Sequence, residues 1–292
     1  MTSPGPLALL HRFGVPPYDV RGKTVLVTGA AQGIGRELAI LLHQRGAAIA
    51  LVDIDLVTAQ TTASELGERA LAVDADVADR AAMEKAIDRT VERFGRLDVV
   101  VANAGVVPKP ATVRSMDASS FDRVIGVNLT GAFNTVRPAL DHVVAARGHV
   151  VVVSSCAAFA PGMGGSPYMI SKAGVEQLGR ALRVELAPHG ATAGVSYFGV
   201  VDTAMTHATL DQDDLGRAIG ELLPWPLNTR ITAAAAARVI ADGIGRRAPR
   251  TIAPSGWEPY ALLRGLVNIA LDHRLARDPR LATLIRRLEN TP

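Results

Sequence analysis

The stretch TVLVTGAAQGIG, residues 24–35, runs from a β-branched apolar segment straight into a glycine cluster. Its spacing, Gly29-x-x-x-Gly33-x-Gly35, suits a strand-to-helix turn: a Cβ there would block both the tight bend and close backbone approach to a phosphate. A helix starting near Gly33 then points its first amide groups at that phosphate. Gly29, Gly33, Ile34 and Gly35 are thus the candidate phosphate turn. Working outward, similar short runs recur at AAIALVD (from Ala47), DVVVANAG (from Asp98), HVVVVSS (from His149) and ATAGVSYF (from Ala191). Most are apolar on both faces, as strands covered by helices on each side must be. Segments with helical spacing lie at 33–45, 78–94, 118–146 and 168–187, and Gly46, Gly95, Gly148 and Gly190 follow them where a left-handed stop is placed. Strand and helix alternating this often predict one α/β domain of Rossmann type, a doubly wound parallel sheet.

Asp53 ends the second strand, about 20 residues beyond the glycine turn. A carboxylate there accepts bonds from an adenosine ribose diol and repels a 2′-phosphate. Gln32 in the turn and Ile54 after the acid supply no cation to offset that repulsion; Arg36 is the nearby base. The expected cofactor is NAD, with NADP disfavoured.

Composition narrows the remaining classes. Of 292 residues, 48% are hydrophobic and 20% charged, which excludes a disordered or collagen-like chain. Lys plus Arg number 31 against 28 Asp plus Glu, scattered along the chain, so charge gives no argument for nucleic acid. Aromatics at 4% leave no stacking platform for single strands. One cysteine, Cys156, excludes an internal disulfide or a Cys-rich zinc site. His11, His43, His142, His149, His189, His207 and His273 show no ligand spacing with one another or with acids, so solvated or capping roles and no metal are expected. No apolar run reaches the roughly 18 residues of a transmembrane helix. The opening MTSPGPLALLHRFGVPP places its basic residues after a short apolar core, the wrong order for a signal peptide. A cytoplasmic protein is expected.

Five further features stand in order along the chain: Asp76-Val77, Asn103-Ala104-Gly105, Asn128, Ser155, and Tyr168-Met169-Ile170-Ser171-Lys172. Together with the glycine turn, and over about residues 20–255, they make the sequence similar to the short-chain dehydrogenase/reductase family, in its smaller single-domain branch. That resemblance implies a catalytic set of Asn128, Ser155, Tyr168 and Lys172. Tyr168 would be the general acid/base on substrate oxygen, and Ser155 would hold that oxygen and stabilise charge on it. Asn128 would hold Lys172 through water, and Lys172 would also bind the nicotinamide ribose. Asp76 and Val77 would flank the adenine, Asn103, Ala104 and Gly105 would touch the adenosine side, and Val201 and Thr203 would meet the cofactor. A nucleophilic Ser155 is the competing reading, but no G-x-S-x-G elbow surrounds it.

The chemistry asked of Tyr168 can be weighed. A phenol titrates near ~10, so lowering it by about three units needs roughly 4 kcal/mol. A cation about 4 Å away at an effective dielectric near 20 supplies on the order of 4 kcal/mol. A helix dipole, at about 0.3–1 kcal/mol, falls short. Lys172, one helical turn from Tyr168, is therefore the group expected to acidify it, with oxidised nicotinamide acting in the same sense.

One departure from the family pattern is Phe198-Gly199 where Pro-Gly is usual, which alters the pocket wall. Others are the extensions, residues 1–20 and a helical 256–292, flanking a cofactor-binding domain at 21–255. The latter extension reads as two helices parted near Asp278-Pro279. Leu262, Leu263, Leu266, Ile269 and Ala270 share one face, and Leu281, Leu284, Ile285 and Leu288 another. Such faces suit docking on the domain or on a partner subunit; a lid or a membrane-surface contact are the alternatives. Residues 205–230 read as a mobile lid in which Met205, Leu222, Leu223 and Trp225 favour an apolar alcohol or ketone of steroid, terpenoid or acyl type. A homo-oligomer, dimer or tetramer, is expected. Two other function classes stay open: a non-catalytic NAD sensor or scaffold, and an epimerase or dehydratase with bound NAD. The short C-terminal extension argues against the second of these.

Overall fold

Among the described residues the chain forms nine strands: β1 (Thr24–Thr28), β2 (Ala48–Asp53), β3 (Ala70–Asp74), β4 (Val99–Ala102), β5 (His149–Val153), β6 (Thr192–Phe198), β7 (Val200–Asp202), β8 (Arg230–Thr232) and β9 (Arg250–Ala253). Seven of them form one parallel sheet in the order β3-β2-β1-β4-β5-β6-β9, while β7 and β8 pair separately. The computed structural model describes residues 17–161, 163–212, 214–220 and 228–290. The order turns back at β1 and β4, so their carboxyl ends open the crevice where open α/β sheets bind ligands.

Twelve α-helices lie among the described residues: α1 (Gly33–Gln44), α2 (Leu56–Leu66), α3 (Arg80–Phe94), α4 (Ala118–Ile125), α5 (Gly131–Val136), α6 (Leu140–Ala145), α7 (Ser166–Leu186), α8 (Ala204–Thr206), α9 (Asp214–Gly220), α10 (Ala233–Gly245), α11 (Glu258–Leu275) and α12 (Pro279–Asn290). One face of the sheet is covered by α1, α2 and α10, which bury Leu38, Leu42, Ala59 and Ile240. The other is covered by α3, α5 and α7, through Met83, Ile87, Val136, Val175 and Leu182. This is the doubly wound architecture expected from the strand pattern.

Several expectations are corrected. β3 (ALAVD) has a single β-branched residue and β9 (RTIA) is half polar, so neither stands out as a β-branched apolar run; the sheet recruits them at its two edges. The single helix expected over 118–146 is broken. A π turn at Gly126–Thr130 separates α4 from α5, and a 3-10 turn at Arg137–Ala139, where Pro138 lacks an amide hydrogen, separates α5 from α6. Gly46, Gly95 and Gly190 take positive φ as expected, but Gly148 does not; Arg147 takes that conformation at φ 47°. Gly148 is required for another reason, because a Cβ there would lie 2.0 Å from the Asp98 carbonyl oxygen.

The C-terminal helices also differ from the simplest expectation. Leu281, Leu284 and Leu288 of α12 are buried, with Ile285 at the margin. In α11 it is polar side chains that turn inward: Arg264 forms a two-pronged ion pair with Glu176, and Asn268 donates to the Phe159 carbonyl. Leu262, Leu263, Leu266 and Ile269 face outward and are exposed. Glu289 of α12 accepts from Thr112 and Arg114, tying the extension to the loop after β4. Among the described residues no helix is long and apolar enough to cross a membrane. Residues 1–16, including His11, and Leu222, Leu223 and Trp225 lie outside the described residues.

Candidate active site

The carboxyl ends of β1, β2, β4, β5 and β6 open onto one cleft of about 860 Å³, within the range of small-molecule and cofactor sites. Gly29, Gly33, Ile34, Asp53, Asp76, Val77, Asn103, Ala104, Gly105, Ser155, Tyr168, Lys172, Val201 and Thr203 all line it, as does Phe198. Gly35 and Asn128 stand behind its wall. A Cβ on Gly35 would come 2.1 Å from the Gly29 carbonyl oxygen, so this glycine permits the helix to approach the turn. Asn128 is 1% exposed and lies behind Gly105, where a Cβ would meet Asn128 Oδ1 and Lys172 Nζ, each at 3.3 Å.

At the nucleotide end, backbone geometry fixes the acid. Asp53 accepts from the amide groups of Ala31 (2.8 Å) and Asp55 (3.0 Å), which holds the carboxylate beside the glycine turn. Arg36 is held away from a free role by Glu65 (3.6 Å), Glu37 (3.8 Å) and the Thr62 hydroxyl (3.1 Å). Asn103 spends its carboxamide on the carbonyls of Thr28 and Gly29, bracing the turn from β4. Asp76 accepts from the Ala78 amide and Val77 packs against Gly131. Thr203 caps α8 through the Thr206 amide. A glycine cradle that side chains would fill and an acid fixed beside it fit an adenine dinucleotide.

At the chemical end, β5 and α7 bring the reactive groups together. Ser155 donates to the Phe198 carbonyl (3.2 Å) and accepts from the Ala157 amide (3.1 Å), which orients its hydroxyl at the strand end. Phe198 extends β6 opposite Ala253, and the Gly199 amide donates to the Ala253 carbonyl, so this turn is built into the sheet without proline. Lys172 donates to the Val153 carbonyl (2.9 Å), and its nitrogen lies 5.7 Å from the centre of the Tyr168 ring. Phenol and ammonium therefore share one side of the cleft.

Their surroundings add an opposing effect. Burial is the largest influence on both groups: it raises the Tyr168 phenol above its ordinary value and lowers Lys172 to about 8. A hydrogen bond to Ser155 pulls the phenol back down, and Cys156 pushes it up. Desolvation opposes the acidification expected of Lys172, since burial at the same place penalises both charges. Positive charge brought by an oxidised nicotinamide is the remaining contribution in the lowering sense.

Reasoning from sequence missed the groups that anchor this set. Ser154 donates to the Lys172 carbonyl, and Ser171 donates to the Tyr168 carbonyl while accepting from Asn128 Nδ2. Their only signal was adjacency to Ser155 and Lys172. His207, given a solvated or capping role, instead bridges Asp202 (2.9 Å) and Asp211 (2.6 Å) at the base of the expected lid.

Residues 23–214 match the short chain dehydrogenase family. The chain is 38% identical over 187 residues to a (−)-trans-carveol dehydrogenase of Rhodococcus erythropolis, covering 58% of this chain and 68% of that one. It is 33% identical over 185 residues to (+)-borneol dehydrogenase 1 of Salvia officinalis, covering 62% and 71%. Among solved structures, a 3-ketoacyl-(acyl-carrier-protein) reductase from Brucella melitensis complexed with NADH superposes with a TM-score of 0.71 at 26% identity, over 80% of this chain and 97% of that one. On the matched span and the shared architecture, the chain belongs to the short-chain dehydrogenase/reductase family.

Proposed function

We propose that this oxidoreductase transfers a hydride between NAD and the carbinol carbon of an apolar secondary alcohol, or runs the reverse reduction of the ketone. The observation that carries the proposal is the joint placement of Tyr168, Lys172 and Ser155 at one end of a cleft whose other end holds Asp53. Bound NAD supplies the hydride acceptor. Ser155 holds the substrate oxygen and donates to it as charge develops. Tyr168 takes the hydroxyl proton in oxidation and returns it in reduction. Lys172 stabilises the phenolate while that proton is away and hydrogen-bonds the nicotinamide ribose. Asp53 and the occupied Arg36 favour NAD over NADP. Terpenoid alcohols are the first substrates to try, because Phe198, Val106 and Met205 give the cleft an apolar wall and two similar proteins are named for carveol and borneol.

The test is absorbance at the reduced-nicotinamide band with NAD and a panel including carveol and borneol. Net NADH formation is expected. Turnover without it would point to an epimerase, and cofactor binding with no turnover of any alcohol or ketone to a sensor; either outcome overturns the proposal. Tyr168→Phe is expected to lower turnover about 100-fold or more, the scale of general acid/base catalysis, with NAD affinity preserved.

A further inference from the structure

α11 is turned inside out. Its polar side chains face the domain: Arg264 pairs with both oxygens of Glu176 on α7 (2.8 and 2.5 Å) and lies over the Phe159 ring. Asn268 accepts from the Tyr260 hydroxyl (2.7 Å) and donates to the Phe159 carbonyl (2.8 Å). Leu262, Leu263, Leu266, Ile269 and Ala270, at helical spacing, form the opposite face and are exposed, Leu266 by 74% and Ile269 by 72%. A surface helix in water shows the reverse arrangement, and a contiguous apolar patch of this kind marks a contact surface. α12, which lies beside α9 and the loop after β4, leaves this face uncovered.

The apolar face runs into positive charge. His273 and Arg274 occupy the last turn of α11 and Arg277 follows it, all exposed, with Asp272 the exposed acid of the helix. Apolar side chains leading into arginines match an anionic bilayer, where acyl chains lie beneath phosphates. A second copy packed α11 against α11 matches them less well. In the same direction, the arginines of both copies meet. In opposite directions they meet the positive end of the helix dipole, where Glu258 is already bonded to Arg250 (2.6 Å). We propose that α11 is a membrane-surface helix: Leu262, Leu263, Leu266 and Ile269 enter the headgroup–acyl boundary of an anionic bilayer while Arg274 and Arg277 meet its phosphates. No described helix is long and apolar enough to cross a membrane, so the contact runs along the surface. The inference goes beyond the proposed activity and does not depend on it.

The test is co-sedimentation of the full-length protein with vesicles of phosphatidylcholine alone and of phosphatidylcholine mixed with phosphatidylglycerol. Binding to the mixed vesicles is expected, weakened as salt screens the arginines, with much less binding to the neutral ones. Leu266→Ser combined with Ile269→Ser should lower the partition coefficient about tenfold or more, as two apolar side chains leave the acyl boundary. Arg274→Gln combined with Arg277→Gln should lower it about tenfold at low salt and little at high salt. All of these side chains are exposed, so the variants keep the fold, which circular dichroism checks. Binding to neither vesicle, equal binding to both, or binding that the Leu266 and Ile269 substitutions leave unchanged overturns the proposal. Size-exclusion chromatography reads the rival occupant: a dimer that Leu266→Ser with Ile269→Ser dissociates, in protein that ignores vesicles, assigns the face to a second copy and overturns it as well. Vesicle binding is read without turnover, so a protein inactive on every alcohol tried would sink the functional reading and leave this one standing.

Discussion

Lys172 is 4% exposed, yet the proposed chemistry requires its charge. Burial lowers its pKa from 10.5 to about 8, so between those two values the unfolded chain binds the extra proton and stability rises with pH. Below about 8 the folded chain carries the whole penalty, on the order of 3 kcal/mol. Lys172→Met, of similar length, removes that cost and loses one hydrogen bond to the Val153 carbonyl, worth about 1–3 kcal/mol if left unmet. The melting temperature at pH 7 should therefore hold or rise while turnover disappears; a clear drop in the melting temperature would contradict the burial argument. Asp53 is the second decisive side chain. Asp53→Ser removes the charge that repels a 2′-phosphate, and the ratio of NAD to NADP efficiency should fall by about tenfold or more, the effect of roughly 1.4 kcal/mol. Steady-state kinetics with each cofactor reads it directly.

At the scale of elements, two glycines show how differently the same substitution is received. Gly148 leads into β5 with the Asp98 carbonyl 2.0 Å from any added Cβ. Gly148→Ala must push β5 from β4, and a loss of about 1–3 kcal/mol or more is expected from such overpacking. Gly126, at the start of the π turn, has open space around the same atom and helical dihedrals. Gly126→Ala should stabilise by about 0.5–1 kcal/mol, the ordinary helical difference. Denaturant unfolding of the two variants distinguishes the cases, and equal effects would show that close packing at β5 is not the cause. The π turn carries Asn128 into the interior, where it bonds Val106 and Ser171.

For the whole molecule, one group that makes stability depend on acid pH lies away from the cleft. His149 opens β5 fully buried, bonded through Nδ1 to the Thr192 hydroxyl (2.7 Å). Burial, reinforced by Arg247, holds its pKa down from 6.5 to about 3. The unfolded chain therefore binds a proton that the folded chain refuses throughout that window. The histidine's contribution is fully present above 6.5 and is lost as pH falls toward 3, a change on the order of 4–5 kcal/mol. His149→Gln, which cannot ionise, should flatten the stability–pH curve between pH 6 and 4; an unchanged slope would remove His149 from the account.

The sheet was legible because its central strands are buried on both faces, and burial on both faces writes a continuous apolar run into the chain. β3 and β9 were not legible, since an edge strand needs only a neighbour's open ladder and not the β-branched run that marks the central strands. The glycine turn, Asp53, Ser155, Tyr168 and Lys172 could be named because each is a chemical type at a fixed offset from an element end. What the linear order could not hold is dielectric. How far Lys172 and Tyr168 are withdrawn from water depends on α7 packing against β5 and β6, and that withdrawal decides which group shifts which way. The inward turn of Asn128, the occupation of Arg36 by Glu65 and Glu37, and the outward apolar face of α11 likewise arise from contacts between distant segments. Residue types and their spacing specified the fold and the candidate site; the proximity created by folding decided how those groups are buried and oriented.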